Sequence, residues 1–495
     1  MKILLVYPEY PDTFWSFKYA LKFISKQASL PPLGLLTVAA LLPPEWEKKL
    51  VDMTINSLKD IDIKWADYIF ISAMNIQRES VNRVIHRAKR WGARIVAGGP
   101  LFTSEYKDYK ELVDHLILQE AEITLPHFIE DLKKGCPKPI YIADQDQWAE
   151  INKSPIPLWE LINLENYASM CIQYSRGCPF NCDFCDVTLL FGHKMRVKSK
   201  EQILAELESL YLKKWRGGVF FVDDNFIGNK KELKEEVLPA IISWMKKRNY
   251  PFSFTTQVSI NLSDDEELMR LMVKAGFGSV FVGIETPNEE SLAECNKLQN
   301  KNRDLIACVK KIQQSGLVVN GGFIMGFDHD TPAIFERIIE FIQKSGVVSA
   351  MVGLLNAPRG TKLYQRLVKE NRLLKEASGN NTDFSINFIP KMNYKALITG
   401  YKKVLKTIYS PDYYYQRIKT LLAEIKPLPK HKFQFRFYYL SGFLKSVWLL
   451  GIIGRERVHY WRLFFWSLFN RPQLLPMAIT YAVYGFHFRK IIKSH

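Results

Sequence analysis

Short apolar runs alternate with amphipathic segments over the first 145 residues. Five of these runs predict strands: Ile3–Tyr7, Leu50–Met53, Tyr68–Ser72, Ile95–Ala97 and His115–Leu118. Leu33–Leu42 and Val81–Arg90 lie between them and repeat apolar positions at helical spacing. This alternation predicts a parallel sheet with helices on both faces, a doubly wound (Rossmann-like) domain. In such domains ligands bind at the carboxyl ends of the strands.

Residues 167–360 repeat a strand-then-helix unit six times. The predicted strands are Met170–Tyr174, Val219–Val222, Phe252–Gln257, Ser279–Ile284, Val318–Met325 and Val348–Leu354. The predicted helices are Lys200–Trp215, Lys231–Lys247, Asp264–Ala275, Lys301–Gln314 and Pro332–Lys344. Six such units predict a (βα)₆ partial barrel, related to the TIM barrel, with its working residues at the C-terminal strand ends.

The rest of the chain divides by composition. Residues 146–166 contain Pro155 and Pro157 and predict a linker between the two domains. Residues 361–430 are mostly helical in pattern, and residues 431–495 form a basic, aromatic tail. No uninterrupted apolar run reaches the length of about 18 residues that indicates a spanning helix, so none is proposed. Seven cysteines make no disulfide scaffold and indicate a reducing cytosol, so we expect a cytoplasmic protein.

Positive charge is concentrated near the C-terminus. Residues 391–495 hold 19 Lys and Arg against three acids, a net of +16, while the whole chain of 495 residues is +17. Such a tail could lie in a lipid interface, bind nucleic acid, or bury its rings while its cations reach solvent. Regular glycine-aromatic RNA motifs are absent, so no nucleic acid is expected.

Three of the seven cysteines lie within eight residues, as Cys178-x₃-Cys182-x₂-Cys185 directly after a predicted strand. Three thiolates on one loop can hold an iron–sulfur cubane and leave one of its four irons open, which indicates catalysis. The alternative is a zinc site with His193 as its fourth ligand. The remaining cysteines are most simply packing residues.

The cysteine motif, preceded by Tyr-Ser-Arg-Gly at 174–177, resembles the radical S-adenosylmethionine (SAM) superfamily. Pro31-Pro32-Leu33-Gly34 and Gly98-Gly99-Pro100 make the chain similar to its cobalamin-binding branch, and Asn387–Met392 resembles the subgroup that includes hopanoid methylases. The resemblance implies a [4Fe–4S] cluster on Cys178, Cys182 and Cys185, with SAM on the open iron. It also implies cobalamin and a reducing electron donor such as a flavodoxin or ferredoxin.

The resemblance implies a set of SAM-binding residues at the barrel strand ends. They are Phe184, Asp223, Asp224, Gln257, Gly283 and Glu285. The two aspartates would accept from the SAM ammonium, although the same segment could cap a helix. Arg196 could meet a carboxylate or a cluster sulfide, or could be a solvated charge.

Cobalamin contacts are implied at the strand ends of the first domain. The candidates are Tyr7, Glu9, Ser72, Met74, Gly98 and Gly99, although Gly98-Gly99-Pro100 could be an ordinary tight turn. No histidine precedes His86, so we predict cobalamin without a histidine below the cobalt. Many relatives carry Gly-Glu-x-Glu after the fifth strand, whereas this chain has Gln119-Glu120-Ala121-Glu122.

The leading hypothesis is methylation of an unactivated carbon in a hydrophobic or lipid-like substrate. A second hypothesis keeps the radical step but gives a rearrangement, oxidation or cyclisation without methyl transfer. A third is a corrinoid- or redox-sensing module. The lipid interpretation of the tail would place residues 431–495 against the inner face of the membrane.

Overall fold

The computed structural model describes residues 1–144, 147–380, 383–427 and 437–494. It begins with a parallel six-stranded sheet of order β2-β1-β3-β4-β5-β6. Its strands are β1 (Lys2–Tyr7), β2 (Glu47–Asp52), β3 (Tyr68–Ser72), β4 (Arg94–Gly98), β5 (His115–Ile117) and β6 (Ile140–Tyr141). Its helices are α1 (Lys18–Leu21), α2 (Leu33–Leu41), α3 (Asp60–Trp65), α4 (Arg78–Arg90), α5 (Pro100–Ser104), α6 (Tyr106–Tyr109) and α7 (Ala121–Lys133).

Successive residues of the central strand β1 face two different hydrophobic cores. Leu4 and Val6 lie in the core on one face of the sheet, while Ile3 and Leu5 lie in the core on the other. A parallel strand covered by helices on both faces needs such a continuous apolar run. The predicted doubly wound domain is therefore confirmed. The two-residue strand β6 was not predicted, because it is too short to show a pattern.

A second parallel sheet has the order β14-β13-β12-β11-β10-β7 and forms the predicted partial barrel. Its strands are β7 (Ser169–Ile172), β10 (Gly217–Phe221), β11 (Phe252–Val258), β12 (Phe277–Glu285), β13 (Val318–Met325) and β14 (Ala350–Leu354), and a small hairpin joins β8 (Ser175–Arg176) to β9 (Arg196–Val197). The helices are α8 (Val187–Phe191), α9 (Lys200–Leu212), α10 (Lys230–Glu232), α11 (Leu238–Lys247), α12 (Glu266–Ala275), α13 (Glu289–Glu294), α14 (Leu305–Ser315), α15 (Ile334–Ser345) and α16 (Lys362–Lys369).

Along β11, buried residues that face the helices alternate with less buried residues that face the inside of the barrel. Phe252 is buried against the helices, where its ring stacks on Trp244 of α11 at 5.5 Å. Thr255 and Gln257, at the alternate positions, are only half-buried and face the inside of the curved sheet. Polar residues at these positions leave the barrel interior able to bind a ligand.

The segment after β1 closes the open side of the barrel. Trp15 Nε1 donates to Met351 Sδ at 2.8 Å, and the Trp15 ring lies edge-on to Phe281 at 5.5 Å. Ala28 forms a parallel bridge with Tyr167 beside β7. Residues from the first 145 therefore pack directly on the barrel strands.

The predicted linker at 146–166 packs on both domains. The Leu158 amide donates to Leu36 O at 3.1 Å, and Trp159, almost fully buried, donates from Nε1 to Ser209 Oγ at 3.2 Å. The segment therefore holds the first domain against α9.

The C-terminal region is helical. Its helices are α17 (Tyr394–Ile408), α18 (Pro411–Glu424), α19 (Phe437–Ser446), α20 (Arg457–Asn470) and α21 (Leu475–Ser494), with a π-helical segment at Val447–Ile452. Phe488 of α21 stacks on Phe14 at 4.1 Å, and His487 Nε2 lies 3.1 Å from Phe14 O. Burial lowers the pKa of His487 to about 4, so it is neutral at pH 7.

Part of the tail is thus buried in the core, in agreement with the interpretation that its rings are buried while its cations reach solvent. Residues 431–436, at the start of the tail, lie outside the described residues. Within the ranges that the structure covers, no helix is both long and apolar enough to cross a membrane.

The packing of α21 on α18 can be tested at one glycine. A Cβ at Gly485 would overlap the Tyr414 ring, so Gly485→Ala should destabilise the C-terminal region by about 1–3 kcal/mol. A Cβ at Gly442 would make only ordinary contacts, with Phe23 O at 3.4 Å, so Gly442→Ala should be neutral or stabilising. Calorimetric Tm values compare the two; equal Tm changes would contradict the packing.

Candidate active site

The three cysteines lie on one loop that follows the small strand β8. The Cys185 amide donates to Cys182 O at 3.2 Å, which folds these two residues into a single turn, and the Cys178 amide donates to Gly192 O at 3.2 Å. All three are half-buried free thiols. His193 is exposed, and among the described residues no three His, Cys, Asp or Glu side chains group closely enough for a single metal ion.

Each thiol has its own N–H donor. The amides of Phe180 and Val187 donate to the sulfurs of Cys178 and Cys185. Gln299 Nε2 lies 3.8 Å from Cys182 Sγ. Hydrogen bonds to sulfur ligands set the potential of an iron–sulfur cluster, so this donor set fits a cluster with three protein ligands.

Lys297 brings a buried positive charge to the same loop. Burial raises the pKa of each of the three thiols, and the Lys297 charge opposes that shift in all three. Its Nζ lies 2.7 Å from Glu285 Oε1, and the pKa of Lys297 is raised because this pairing outweighs its burial. The pattern of the sequence did not single out Lys297, because it lies in a loop distant from the cysteines along the chain.

Glu285 ends β12 at an irregular position. The pairing register shifts between Gly283 and Glu285, and Glu285 has φ of 64°, which is strained for a residue with a side chain. A Cβ on Gly283 would collide with the Glu285 carboxylate and Lys297 Nζ. A side chain at this position would therefore displace the ion pair between Glu285 and Lys297, while the predicted contact of Gly283 with SAM stays a prediction.

The two aspartates after β10 have different surroundings. Asp223 is fully buried and accepts from the Tyr174 amide at 3.2 Å and from Ser175 Oγ at 2.5 Å, so it holds the chain just before the cysteine loop. Asp224 is half-buried, and burial, followed by the charges of Asp223 and Asp186, raises its pKa to about 7. A bound cationic ligand would stabilise the ionised form of Asp224, which burial and the neighbouring acids disfavour. Of the two aspartates, Asp224 is therefore the better candidate to bind a cation.

The other two predicted SAM contacts lie on the same rim. Phe184 is half-buried, with its ring 6.4 Å from that of Phe327 in an edge-on arrangement. Gln257 ends the polar inner row of β11, and its side chain has no hydrogen-bond partner among the described residues. A ring on the cysteine loop and an amide near the end of β11 suit a nucleoside.

A cavity of about 410 Å³ lies between the first sheet and the barrel. Tyr7, Ser72 and Gly98, the last residues of β1, β3 and β4, line it together with Gly99 and Met74. Gln173 and Val222 line the opposite wall, from the barrel. Five of the six residues predicted to contact cobalamin are thus brought together.

Glu9 is the exception. Its carboxylate points away to Arg83 on α4, with 3.3 Å between Oε2 and Nη2, and it does not line the cavity. The short segment after β1 turns outward at this residue, which its position in the sequence does not reveal.

Gln119 occupies the position where relatives carry glycine. It has φ of 62°, in the left-handed region that favours glycine. Its side chain compensates by accepting from the Ala143 amide at 2.9 Å. This hydrogen bond supports the left-handed backbone at a residue with a side chain, and Gln119 lines the cavity.

A buried ion network joins the two domains beside the cavity. Arg176 and Arg196 are directly opposite each other on the β8–β9 hairpin, where like charges repel. Glu120 Oε1 accepts from both, at 2.8 Å each, and Glu122 pairs with Arg176 at 2.7 Å. Burial alone would raise the pKa of Glu122, but Arg176 outweighs it and lowers the pKa to about 2. Arg196 is thus a carboxylate partner and not a solvated charge.

Glu206 adds an unsatisfied acceptor to the cavity wall. It is fully buried and pairs with Lys198 through Oε1, but its Oε2 has no hydrogen-bond partner among the described residues. Both side chains line the cavity. Because the corrin ring of cobalamin carries amide side chains, an N–H from that ring would satisfy Oε2, so the cavity fits cobalamin.

Comparisons with known proteins agree with this geometry. The B12 binding domain matches residues 24–129, and the radical SAM superfamily matches residues 172–342. A domain of unknown function matches residues 361–495.

The relatives and the solved structures extend over nearly the whole chain. The chain is 39% identical to an uncharacterized methyltransferase of Synechocystis sp., over 100% of this chain and 93% of that protein. It is 31% identical to the hopanoid C-2 methylase of Rhodopseudomonas palustris, over 93% of this chain and 88% of that protein. The fold matches the radical SAM methyltransferase TsrM of Kitasatospora setae with a TM-score of 0.61 and 16% identity, over 100% and 99%. It matches the cobalamin-dependent radical enzyme OxsB with a TM-score of 0.62 and 15% identity, over 100% and 80%.

A cysteine loop on a partial barrel, together with a cavity at the strand ends of a doubly wound sheet, defines a radical SAM enzyme with a corrinoid domain. The chain belongs to the cobalamin-binding radical SAM methylase family, together with hopanoid C-2 methylase. Its cofactors are a [4Fe–4S] cluster, SAM and cobalamin.

The contact between the domains can be tested by pH. The folded pKa of Glu122 is about 2, below its ordinary 4.5, so its contribution to stability is complete above about 4.5 and is lost as the pH falls through about 2. Wild type should therefore exceed Glu122→Gln in Tm at neutral pH, and the gap should narrow below pH 4.5. Glu130→Gln, on the exposed side of α7, is the control. A gap independent of pH would contradict the assignment.

Lys297 can be tested through the cluster. Lys297→Met removes a positive charge and leaves Glu285 unpaired, so the midpoint potential of the cluster should become more negative. Lys297→Arg should stay near wild type, and Lys274→Met, exposed on α12, is the matched control. Redox titration followed by electron paramagnetic resonance measures the potential. An unchanged potential in Lys297→Met would show that the charge does not act on the cluster.

Proposed function

We propose that this enzyme methylates an unactivated carbon of a hydrophobic, lipid-like substrate. The observation that carries the proposal is the shared cavity: the strand ends of the cobalamin domain and the barrel residues Gln173 and Val222 line one space. Val222 directly precedes Asp223 and Asp224, so the cavity reaches the rim where the SAM contacts are proposed. A methyl donor and a radical source would thus act on one bound substrate.

The residues of the rim would bind and orient the cofactors. Cys178, Cys182 and Cys185 would hold the cluster, Asp224 would accept from the SAM ammonium, and Phe184 and Gln257 would contact the adenine and ribose. The bound cofactors supply hydrogen-atom abstraction and the methyl group. The chain's own contribution is to align them and, through the buried ion network at Arg176, to keep the two domains together and exclude water.

The inner surface of the barrel supports a hydrophobic substrate. Phe281, Met351 and Trp15 meet inside it, and Trp15 closes its open side. One relative, the hopanoid C-2 methylase, is named for a hopanoid substrate. We extend the substrate class, and not its identity, to this chain.

We also propose the working arrangement of the protein. Residues 1–145 would bind cobalamin, 146–166 would connect the domains, 167–360 would carry the radical step, and 361–430 with 431–495 would form the helical region. Electrons would come from a flavodoxin or ferredoxin. The enzyme would act in the cytoplasm, in peripheral contact with the inner face of the membrane.

Anaerobic turnover with methyl-labelled SAM, a reductant and a hopanoid as trial substrate tests the proposal. We expect 5′-deoxyadenosine and S-adenosylhomocysteine together, with label in the lipid fraction. If 5′-deoxyadenosine forms without S-adenosylhomocysteine, the reaction is a rearrangement, oxidation or cyclisation instead. If label enters neither the hopanoid nor a total lipid extract assayed in the same way, the substrate class is wrong.

Matched cysteine variants control the assay. Cys185→Ala should lose iron and both products, whereas Cys308→Ala, a free cysteine on α14, should retain them. Iron and sulfide content separate loss of the cluster from loss of fold. Full activity in Cys185→Ala would contradict the proposed ligand set.

A further inference from the structure

The first of the tail helices exposes a stripe of apolar side chains. Leu440, Leu444, Trp448 and Ile452 recur every four residues along α19 and the π-helical segment, and all are exposed, Trp448 by 58%. Residues on the opposite side of the same helix, such as Ser446 and Leu450, are fully buried. The exposed stripe therefore faces away from the core.

Helix α20 exposes a ladder of aromatic rings. Trp461 stacks on Phe465 at 5.7 Å, and Phe465 stacks on Phe469 at 6.4 Å. Phe469 is 79% exposed, the largest value among the exposed large hydrophobic side chains described. The other side of the helix, with Tyr460 and Leu463, is buried.

The stripe and the ladder lie side by side. Phe443 of α19 stacks on Phe464 of α20 at 6.2 Å, and Trp461 Nε1 donates to Gly451 O at 2.8 Å. Since both helices bury their opposite sides in the core, the two apolar rows form one outward surface. We call the apolar side chains of the stripe and the ladder, Leu440, Leu444, Trp448, Ile452, Trp461, Phe465 and Phe469, the outer face. Apolar patches of this kind mark interaction sites.

Cations without partners border the outer face. Arg455, Arg457 and Arg462 are exposed and make no ion pair with any described residue. The one acid between residues 437 and 494 is Glu456, which is buried and paired with Arg489 at 2.5 Å. The positive charge around the outer face is thus not compensated by any described acid, and it favours an anionic partner.

We propose that the outer face docks on the surface of an anionic lipid bilayer. The rings and aliphatic side chains would enter the boundary between headgroups and acyl chains, and the arginines would contact the headgroups. A second copy of the chain is disfavoured because it would oppose the same positive charges. The contact deepens the proposed function, on which its purpose rests, by placing the enzyme where a lipid substrate resides.

Cosedimentation of the anaerobically reconstituted holoenzyme with phospholipid vesicles tests the contact. Binding should be strong to phosphatidylcholine vesicles that contain phosphatidylglycerol, weak to phosphatidylcholine alone, and lowered by salt. The double variant Phe465→Ser with Phe469→Ser should weaken binding about tenfold or more. Changing Arg455, Arg457 and Arg462 to Gln should remove the preference for anionic vesicles.

A second double variant controls for general loss of surface hydrophobicity. Leu212→Ser with Leu298→Ser changes two side chains that are 70% and 60% exposed elsewhere, and its binding should equal that of wild type. Equal binding by the Phe465 and Phe469 variant would overturn the proposal. So would a lipid-free dimer in sedimentation velocity that the same variant abolishes, because that would identify a second copy as the occupant.

The test is independent of the chemistry. Vesicle binding is measured without SAM turnover, and the Phe465 and Phe469 variant should methylate detergent-dispersed substrate at the wild-type rate. Failure to bind vesicles with normal product formation would therefore reject the docking surface alone. Normal vesicle binding without methylation would reject the proposed function alone.

Discussion

The relative position of the two sheets depends on one buried ion network. Glu120 pairs with Arg176 and Arg196, which lie opposite each other in the two short antiparallel strands β8 and β9. Glu122 adds a second carboxylate to the network. Apolar contact between the domains would tolerate many orientations, whereas buried charges must each find a partner. The network therefore favours one orientation, in which the strand ends that line the cavity face the barrel rim. The alignment of cobalamin and SAM follows from that orientation.

At the candidate active site, a strained backbone conformation positions an ion pair. Glu285 has a left-handed backbone, and its carboxylate fills the space beside Gly283 to pair with Lys297. The result is a fixed cation beside three thiolates in a partly buried loop. In a low-dielectric environment such a charge acts strongly on a cluster, and a rigid ion pair does not have to reorganise during the reaction.

Much of the fold was predictable because parallel strands buried on both faces have an unmistakable apolar pattern. The predicted strands Tyr68–Ser72 and Val318–Met325 match the observed bounds, whereas β6 is too short to show any period. A candidate site could be proposed where the signal is local, as in the cysteine loop, whose cluster-binding role stays a prediction. It was not predictable at Lys297, which lies far along the chain from the three cysteines, and the sequence left open whether Arg196 meets a carboxylate, because its partner Glu120 belongs to the other domain.

The sequence by itself determined the two α/β domains, the cysteine motif and the cofactor class, because hydrophobic period and cysteine spacing act over a few residues. The tertiary structure decided which carboxylate is available at the rim, since only burial and hydrogen bonding distinguish Asp223 from Asp224. It also decided how the aromatic tail divides. Composition gives the same rings and cations to α20 and α21, but packing on Phe14 buries α21 and leaves the ladder of α20 exposed.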